Sequence, residues 1–236
     1  MGSSLCAHCG RLCVGSIPMF KNLDKNDTTQ LERLVTHHRF AKQHSIVRQG
    51  EPASALYIVH GGEIKIARLR RDGSEQVLRL ASTGDFFGEL SLLSGARSTF
   101  DAVVVSDSSL VCSISRADMT QFLARHTSAL QAVLLALVER VAQMEEILDG
   151  AYAYDSRQKA AALLLSLAAR YGRNSAHGTE IRLHMNRAGL ASMAGIAQET
   201  LSRRLAEFRA EGLIETRGYK WIYIKHEHPL RELLET

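Results

Sequence analysis

The sequence lacks the marks of a membrane, secreted or catalytic protein. No apolar run in its 236 residues approaches the ~20 residues that a membrane-spanning helix needs. The amino end has no basic segment followed by an apolar core, so we predict no signal peptide and expect a cytoplasmic protein with reduced thiols. Neither a histidine–glutamate cluster nor a nucleophile–base pair stands out, which argues against an enzyme.

Net charge is absent from the first part of the chain and is confined to the last part. Residues 1–150 contain 16 basic and 16 acidic residues, whereas residues 151–236 contain 13 and 9, a net charge of +4 (13 − 9). A surface that binds nucleic-acid phosphates needs positive charge. The C-terminal part is therefore the better candidate for a nucleic-acid partner.

The segment 191–211 (ASMAGIAQETLSRRLAEFRAE) predicts two helices joined by a tight turn. Ala191 is small where the two helices would touch, Gly195 suits a turn residue with positive φ, and Leu201 would face the core. These features are typical of a helix-turn-helix. The second helix is predicted to begin near Gln198.

The exposed side of that second helix would present Gln198, Glu199, Ser202 and Arg203, because residues three and four apart are neighbours. Arginine can donate twice to guanine, glutamate can accept from the cytosine amino group, and serine can bond a base edge or a phosphate. The alternative is an ordinary amphipathic helix with a solvated charged face. Residues 215–224 (ETRGYKWIYI) predict two short strands around Gly218, the wing of a winged helix, which favours DNA.

Only four cysteines are present. Cys6, Cys9 and Cys13 crowd into eight residues at the amino end, and the fourth is Cys112. In a reducing compartment such crowding favours metal over disulfide. Four thiolates suit a [4Fe–4S] cluster or zinc, and spacing does not decide between the two. His8 is a possible alternative ligand, and the other interpretation is a set of unrelated cysteines.

The region after the cysteines predicts one short helix and then an antiparallel β-structure. Residues 20–38 favour a helix capped by Asp27 or Thr28. Glycines then punctuate short apolar runs about every eleven residues, which indicates a barrel or jelly roll. The runs are 45–47, 55–59, 63–68, 76–81, 98–105 and 109–114, with hairpin turns predicted at Gly61-Gly62 and Asp72-Gly73.

Residues 86–99 (FFGELSLLSGARST) place a turn and a short helix after a strand. Exposed amides and Arg97 could bind a phosphate there, and Glu89 a ribose hydroxyl. A structural turn containing a Glu–Arg pair explains the segment equally well.

From residue 117 onward the pattern is helical. Six apolar residues are spaced 4, 3, 4, 3 and 4 apart: Leu130, Leu134, Leu137, Val141, Met144 and Leu148. This heptad seam predicts a dimer helix ending at Gly150, since helix-turn-helix proteins commonly pair to read two half-sites. A helix packed on its own domain is the alternative. A further helix is predicted over 156–171 and a loop over 173–179.

Taken together, these residues resemble the CRP/FNR family of bacterial transcription regulators over nearly the whole chain. The resemblance implies an α+β fold: an N-terminal antiparallel β-roll of the cyclic-nucleotide-binding type, a long dimerisation helix and a C-terminal winged helix-turn-helix. The predicted divisions are a cysteine-rich segment over 1–19, the β-roll sensor domain over 20–125, the dimerisation helix over 126–150 and the winged helix-turn-helix DNA-binding domain over 151–236. The expected partners are double-stranded DNA, RNA polymerase and a second copy of the chain, without a membrane.

Within that family, Glu199-x-x-Ser202-Arg203 looks like the recognition signature of the FNR and FixK type, which reads TTGA-containing palindromes. CRP-type proteins usually carry Arg-Glu-x-x-Gly-Arg, and here Gln198 and Ser202 replace the first Arg and the Gly. The resemblance therefore implies that Glu199 and Arg203 read bases and that Ser202 assists.

The cysteines resemble those of FNR proteins, which hold an oxygen-labile [4Fe–4S] cluster with three amino-terminal cysteines and one from the β-roll. Three residues separate Cys9 from Cys13, where FNR of enteric bacteria has five. Gly88, Glu89, Arg97 and Ser98 match the family's cyclic-nucleotide cassette, here with a shorter loop. We interpret the cassette as an inherited scaffold, and a nucleotide-responsive, haem-based or thiol-based regulator is the alternative.

Overall fold

The described part of the chain forms two compact units. The computed structural model describes residues 14, 20, 23–52, 54–89, 95–175, 178–183, 185–218 and 220–235, with the backbone alone for 140 and 143–153. One unit comprises Met1–Arg71 and Arg79–Met144, and the other comprises Asp72–Leu78 and Glu145–Thr236. Within the described ranges, no helix combines the length and apolarity needed to cross a bilayer.

Two four-stranded antiparallel sheets form the frame of the first unit. Their strand orders are β1-β8-β3-β6 and β2-β7-β4-β5. The predicted β-roll is therefore confirmed. The strands are β1 (Thr36–Ala41), β2 (Ser45–Val47), β3 (Ala55–Gly61), β4 (Ile64–Leu69), β5 (Glu75–Ala81), β6 (Phe86–Phe87), β7 (Asp101–Val104) and β8 (Ser108–Ser115), and the helices are α1 (Lys25–Glu32), α2 (Arg116–Arg125) and α3 (Thr127–Ala153).

Strand β8 is buried on both faces. Successive side chains of a strand point to opposite sides, so the strand contributes to two different clusters. Val111 belongs to an apolar cluster shared with the second sheet. Cys112 and Ile114 belong to a different cluster, which contains residues of α1, α2 and α3. This alternation places the Cys112 side chain on the helix-covered face of the sheet.

Helix α1 is shorter than the predicted helix over 20–38, and a different residue caps it. The side chain of Asp24, not of Asp27 or Thr28, accepts the hydrogen bond at the N-terminus, from the amide of Asp27. The helix ends at Glu32, and Thr36 begins β1 opposite Ser113 of β8. Tertiary strand pairing overrides local helix propensity here.

Helix α3 also differs from its predicted length. It continues through Gly150 to Ala153, so Gly150 does not end it. Glycine inside a helix costs only about 1 kcal/mol relative to alanine, which the rest of a 27-residue helix can absorb. The break comes instead at Asp155, which caps the following helix.

The second unit is a helical group packed on a small antiparallel sheet of order β11-β12-β10-β9. The predicted winged helix-turn-helix is confirmed. The prediction of a loop over 173–179 is wrong in part. Strand β9 occupies Arg173–Ser175 and strand β10 begins at Gly178, and the two strands pair with Gly178 opposite Ser175. The elements are α4 (Ser156–Tyr171), β9 (Arg173–Ser175), β10 (Gly178–Arg182), α5 (Arg187–Ala194), α6 (Gln198–Ala210), β11 (Ile214–Arg217), β12 (Trp221–Ile224) and α7 (Glu227–Glu232).

Helix α4 begins with a capping box. The Asp155 carboxylate accepts from the amides of Arg157 and Gln158, and the Gln158 side chain accepts from the amide of Asp155. The hydrogen bond from the Gln158 amide is the main cause that lowers the pKa of Asp155. A depressed folded-state pKa adds stability that is present above the unfolded pKa of about 3.9 and is lost as the pH falls through the folded value.

We therefore expect Asp155→Ala to destabilise the second unit by about 1 kcal/mol at pH 7, the usual cost of an N-cap. The difference from the wild type should shrink as the pH falls below about 4, because the unfolded chain takes up a proton there while the folded carboxylate is protonated only at a lower pH. Urea unfolding as a function of pH measures both effects. Asp107→Ala is the control, because the Asp107 side chain is 93% exposed. An equal loss for the two variants at pH 7 would contradict this role.

Candidate DNA-binding surface and sensing region

The turn between α5 and α6 has the geometry that the sequence predicts. Gly195 ends α5 with φ of +65°, a left-handed conformation that favours glycine. The amide of Ile196 donates to the carbonyl of Ala191, and α6 begins at Gln198. Ala191 and Leu201 are buried in the core of the unit. The turn thus fixes where the first residues of α6 emerge.

The side chains of Gln198, Glu199, Ser202 and Arg203 are all exposed at the beginning of α6. Among the residues that the structure describes, none forms a hydrogen bond or ion pair with these four side chains. Leu201, Leu205 and Phe208 occupy the opposite side of the helix and are buried. The helix therefore presents an uncommitted polar face at its N-terminal end, which is the part of a recognition helix that contacts base edges.

The neighbouring residue, Arg204, has a structural role that sequence reasoning missed. Its Nε and Nη2 donate to Ser156 Oγ at 3.0 and 2.8 Å, and its Nη1 donates to Glu207 at 2.8 Å. Arg157 Nη2 donates to Glu211 Oε2 at 2.6 Å, and this hydrogen bond lowers the pKa of Glu211 and raises that of Arg157. These contacts tie α6 to the beginning of α4. The i,i+3 spacing of Arg204 and Glu207 is the one feature of the sequence that could have predicted any of these contacts.

The wing is the hairpin of β11 and β12, with Arg217 opposite Trp221. Arg217 and Lys220 are exposed beside its tip. The guanidinium of Arg182, on the neighbouring strand β10, lies 5.7 Å from the centroid of the Trp221 ring, a cation–π contact close to the tip of the hairpin. The exposed basic side chains suit contacts with a phosphate backbone.

Of the four cysteines, the described residues include Cys112 alone, while Cys6, Cys9 and Cys13, like His8, lie outside them. Cys112 is a free cysteine and is 2% exposed. Val14, the residue directly after Cys13, is fully buried in the same apolar cluster as Cys112, and so is Phe20. The described residues Val14 and Phe20 are thus part of the core that contains Cys112.

No group of three or more histidine, cysteine, aspartate or glutamate side chains suited to a metal ion occurs within the described residues. Three of the four predicted ligands are not among those residues. The observation that bears on a four-thiolate site is therefore the burial of Val14, the residue after Cys13, in the apolar cluster that contains Cys112.

Helix α1 contacts both the cysteine-rich segment and the start of α3, which sequence reasoning missed. At one end, Glu32 Oε2 accepts from the amide of Val14 at 2.9 Å. At the other end, the buried Asp27 carboxylate accepts from His126 Nδ1 and from Ser128 Oγ, each at 2.6 Å. Because a buried carboxylate is costly unless it is hydrogen-bonded, these contacts fix α1 against the first turn of α3.

The side chains of the candidate nucleotide cassette largely serve the fold around them. Arg97 Nη1 donates to the carbonyl of Gly50 at 2.8 Å, and Ser98 Oγ donates to the carbonyl of Phe100 at 2.7 Å. At Gly88, where φ is +92°, an added Cβ would lie 2.6 Å from the carbonyl oxygen of Ala55. Glu89 is buried. These contacts account for three of the four cassette residues without a nucleotide.

Two family models match the chain, one in each unit. Residues 37–126 match the cyclic nucleotide-binding domain, and residues 158–233 match the Crp-like helix-turn-helix domain. A sensor domain of this type combined with this DNA-binding domain defines a class of bacterial DNA-binding transcription regulators. The chain belongs to the CRP/FNR family of those regulators.

Similar proteins include both branches of the family. Electron transport regulator A of Shewanella oneidensis is 26% identical over 98% of this chain and 92% of its own length. The CRP-like cAMP-activated global transcriptional regulator of Mycobacterium tuberculosis is 26% identical over 85% and 89%. The fumarate and nitrate reduction regulatory protein of Escherichia coli is 22% identical over 96% and 90%. Among solved structures, FixK2 from Bradyrhizobium japonicum shares the fold, with a TM-score of 0.75 and 22% identity over 84% of this chain and 96% of that chain.

We expect Arg203→Ala to reduce discrimination between a TTGA palindrome and a base-substituted site by about 1–3 kcal/mol, because a bidentate arginine–guanine contact would be lost. Fluorescence anisotropy on the two duplexes at fixed salt measures the ratio of affinities. Arg209→Ala is the matched control, since Arg209 is exposed on the same helix but lies in its last turn. It should weaken binding to both duplexes alike, and an Arg203→Ala variant that behaves in the same way would show that another residue reads the base.

Proposed function

We propose that this CRP/FNR-family regulator is FNR-like: a dimer that reads a TTGA-type palindrome and is controlled by an oxygen-labile [4Fe–4S] cluster held by Cys6, Cys9, Cys13 and Cys112. The observation that carries the sensing part is the burial of Val14, next to Cys13, in the same cluster of side chains as Cys112. The divisions predicted from the sequence are proposed with one boundary moved: the cysteine-rich segment 1–19, the sensor 20–125, and a dimer helix that runs to Ala153, where α3 ends, instead of to 150. The DNA-binding domain, predicted as 151–236, then follows that helix.

Two features support a four-thiolate site: the number of cysteines in the chain and the location of Cys112. Cys112 is on the sheet face that also receives Val14 and Phe20. In the sequence, Cys13 directly precedes the buried Val14, and Cys9 comes four residues before Cys13. Cys6, Cys9, Cys13 and Cys112 would hold a [4Fe–4S] cluster through iron–thiolate bonds, and a cluster that is oxidised by oxygen and disassembles would remove this link between tail and sheet. Thiolate is the ligand that this chemistry requires.

The chain's own contacts hold the tail independently of any metal. Burial of Val14 and of Phe20 contributes about 1.5–3 kcal/mol each, and the Val14 amide adds a hydrogen bond to Glu32. A further tie through the cysteines regulates the protein only if it favours the paired form over the unpaired form. Helix α1 is in position to pass that difference on, since Glu32 binds the tail and Asp27 binds the start of α3.

The dimer surface that we propose is the exposed apolar side of α3. Leu130, Leu134 and Val141 of the predicted seam are 40%, 53% and 55% exposed. Leu137 packs instead against the core of its own unit and lies at the border of the surface. Leu135 and Val138 extend the exposed set. Met144 and Leu148 remain predicted members, since their side chains lie outside the described ones.

In the DNA-binding domain, Glu199 and Arg203 are proposed to read bases, with Ser202 and Gln198 assisting. Their exposure at the start of α6 and the tie of Arg204 to α4 support this assignment. Arg217 and Lys220 of the wing are proposed to contact phosphates. RNA polymerase is the proposed protein partner of the DNA-bound dimer.

A cyclic-nucleotide-responsive regulator is the second candidate, because residues 37–126 match a cyclic nucleotide-binding domain. In the structure Arg97 donates to the carbonyl of Gly50 and Ser98 to that of Phe100, contacts that need no nucleotide. Calorimetry with cAMP in the absence of iron separates them, since the second candidate binds the nucleotide and does not respond to oxygen.

Protein purified without air is expected to be brown and to contain about four irons per chain. Cys112→Ala should lose the cluster and its anaerobic effect on DNA binding, whereas Ser113→Ala, the next residue of the same strand, should keep both. Absorbance, iron analysis and anisotropy measure these properties. A colourless wild-type protein with one zinc per chain would overturn the oxygen-sensing proposal and leave the DNA-binding assignment intact.

Leu134→Glu is expected to weaken the anaerobic dimer about 100-fold or more, because an unpaired charge buried at an interface costs about 3–5 kcal/mol. The monomer should remain folded, since Leu134 is 53% exposed. Sedimentation velocity over a concentration series measures the dissociation constant. Gln121→Glu adds the same charge at an exposed position of α2 and should leave the dimer unchanged. Full dimerisation of Leu134→Glu would place the interface elsewhere.

A further inference from the structure

His37 lies against the sulfur of Cys112. The two residues are directly opposite each other on the antiparallel strands β1 and β8, so their side chains share one face of the sheet. His37 Nδ1 is 3.2 Å from Cys112 Sγ, which is hydrogen-bond distance for a nitrogen–sulfur pair. This contact joins residues that are 75 positions apart in sequence.

We propose that His37 is a positioning residue that donates its Nδ1 hydrogen to the sulfur of Cys112 when that sulfur is a cluster ligand. The inference depends on the proposed function. A ligating cysteine has lost its proton and can only accept, so the shared hydrogen must be on the imidazole. The bond would fix the side-chain orientation of Cys112 and the tautomer of His37, as outer-shell partners do at metal sites.

Such a bond also changes the redox behaviour of the site. The positive end of an N–H dipole at a ligand sulfur stabilises the more reduced, more negative state, so it raises the reduction potential. A higher potential disfavours oxidation. His37 therefore makes the cluster more resistant to air than the same four cysteines would be without it.

The adjacent histidine provides a matched control within the same strand. His38 Nε2 lies 2.8 Å from Ser113 Oγ, so neighbouring histidines bond to neighbouring residues of β8. His38 is opposite Val111, on the other face of the sheet from Cys112. A change at His38 alters the same strand and the same residue type without touching the sulfur.

Substitution at His37 should be tolerated by the fold. The His37 side chain is exposed on strand β1, which is at the edge of its sheet, and it lines a small cavity of about 40 Å³ together with His60 and Cys112. Leucine removes the donor. Asparagine keeps a donor nitrogen one bond beyond Cγ, as Nδ1 is in histidine.

The first experiment measures the loaded protein, prepared and handled without air. His37→Leu should lower the midpoint potential of the cluster and speed its loss in air roughly tenfold, the low end of outer-shell effects at metal sites. His37→Asn should recover most of both, and His38→Leu should match the wild type. An unchanged potential and an unchanged decay in His37→Leu would overturn the proposal.

The second experiment tests the contact itself in the full-length protein without iron, by NMR of the histidine ring nitrogens. Cys112→Ala should shift the His37 signals and leave those of His38, whereas Ser113→Ala should do the reverse. His37 signals that do not respond to Cys112→Ala would overturn the pairing. If the wild type binds no iron under any condition, the proposed function fails together with the tuning role, while this crossed comparison still decides whether His37 bonds to Cys112.

Discussion

The buried carboxylate of Asp27 is the contact on which the arrangement of the sensor unit most depends. It accepts hydrogen bonds from His126 and Ser128, the residues on either side of the first residue of α3. His126 is also stacked on Phe122 of α2. A charge in this position is tolerated only while its partners stay in place, so α1, α2 and the start of α3 are held as one piece. The opposite end of α1 holds Val14, which extends that piece to the cysteine-rich segment.

The recognition helix shows how adjacent residues of one type take different duties. Arg203 and Arg204 are identical in chemistry and differ by about 100° around the helix axis. Arg204 therefore points towards Ser156 and Glu207, whereas Arg203 remains exposed. The internal bonds hold the helix on which the exposed arginine stands. A base-reading side chain gains accuracy from such support, because an unsupported helix would offer several orientations to the groove.

Local signals predicted more of this molecule than non-local ones. The turn at Gly195 follows from a few neighbouring residues, and β2 was predicted with its observed bounds, Ser45–Val47. Strand β1 was missed because its sequence, THHRFA, lacks the apolar alternation of a strand and is specified by pairing with β8. The contact of His37 with Cys112 depends on the register of that pairing, which no spacing in the sequence reveals. The end of α3 differs from the prediction because a single glycine does not stop the helix, which continues to Ala153 before Asp155 caps the next one.

The close approach of Gly88 to the carbonyl of Ala55 bears on how such regulators are sorted by their sequences. A methyl group at this position would collide with the backbone of β3, whether or not the domain ever meets a nucleotide. A glycine there would accordingly survive the loss of ligand binding in any descendant that keeps this strand packing. The presence of glycine at this position therefore indicates how the strands of the β-roll pack, and it does not indicate which effector the protein binds.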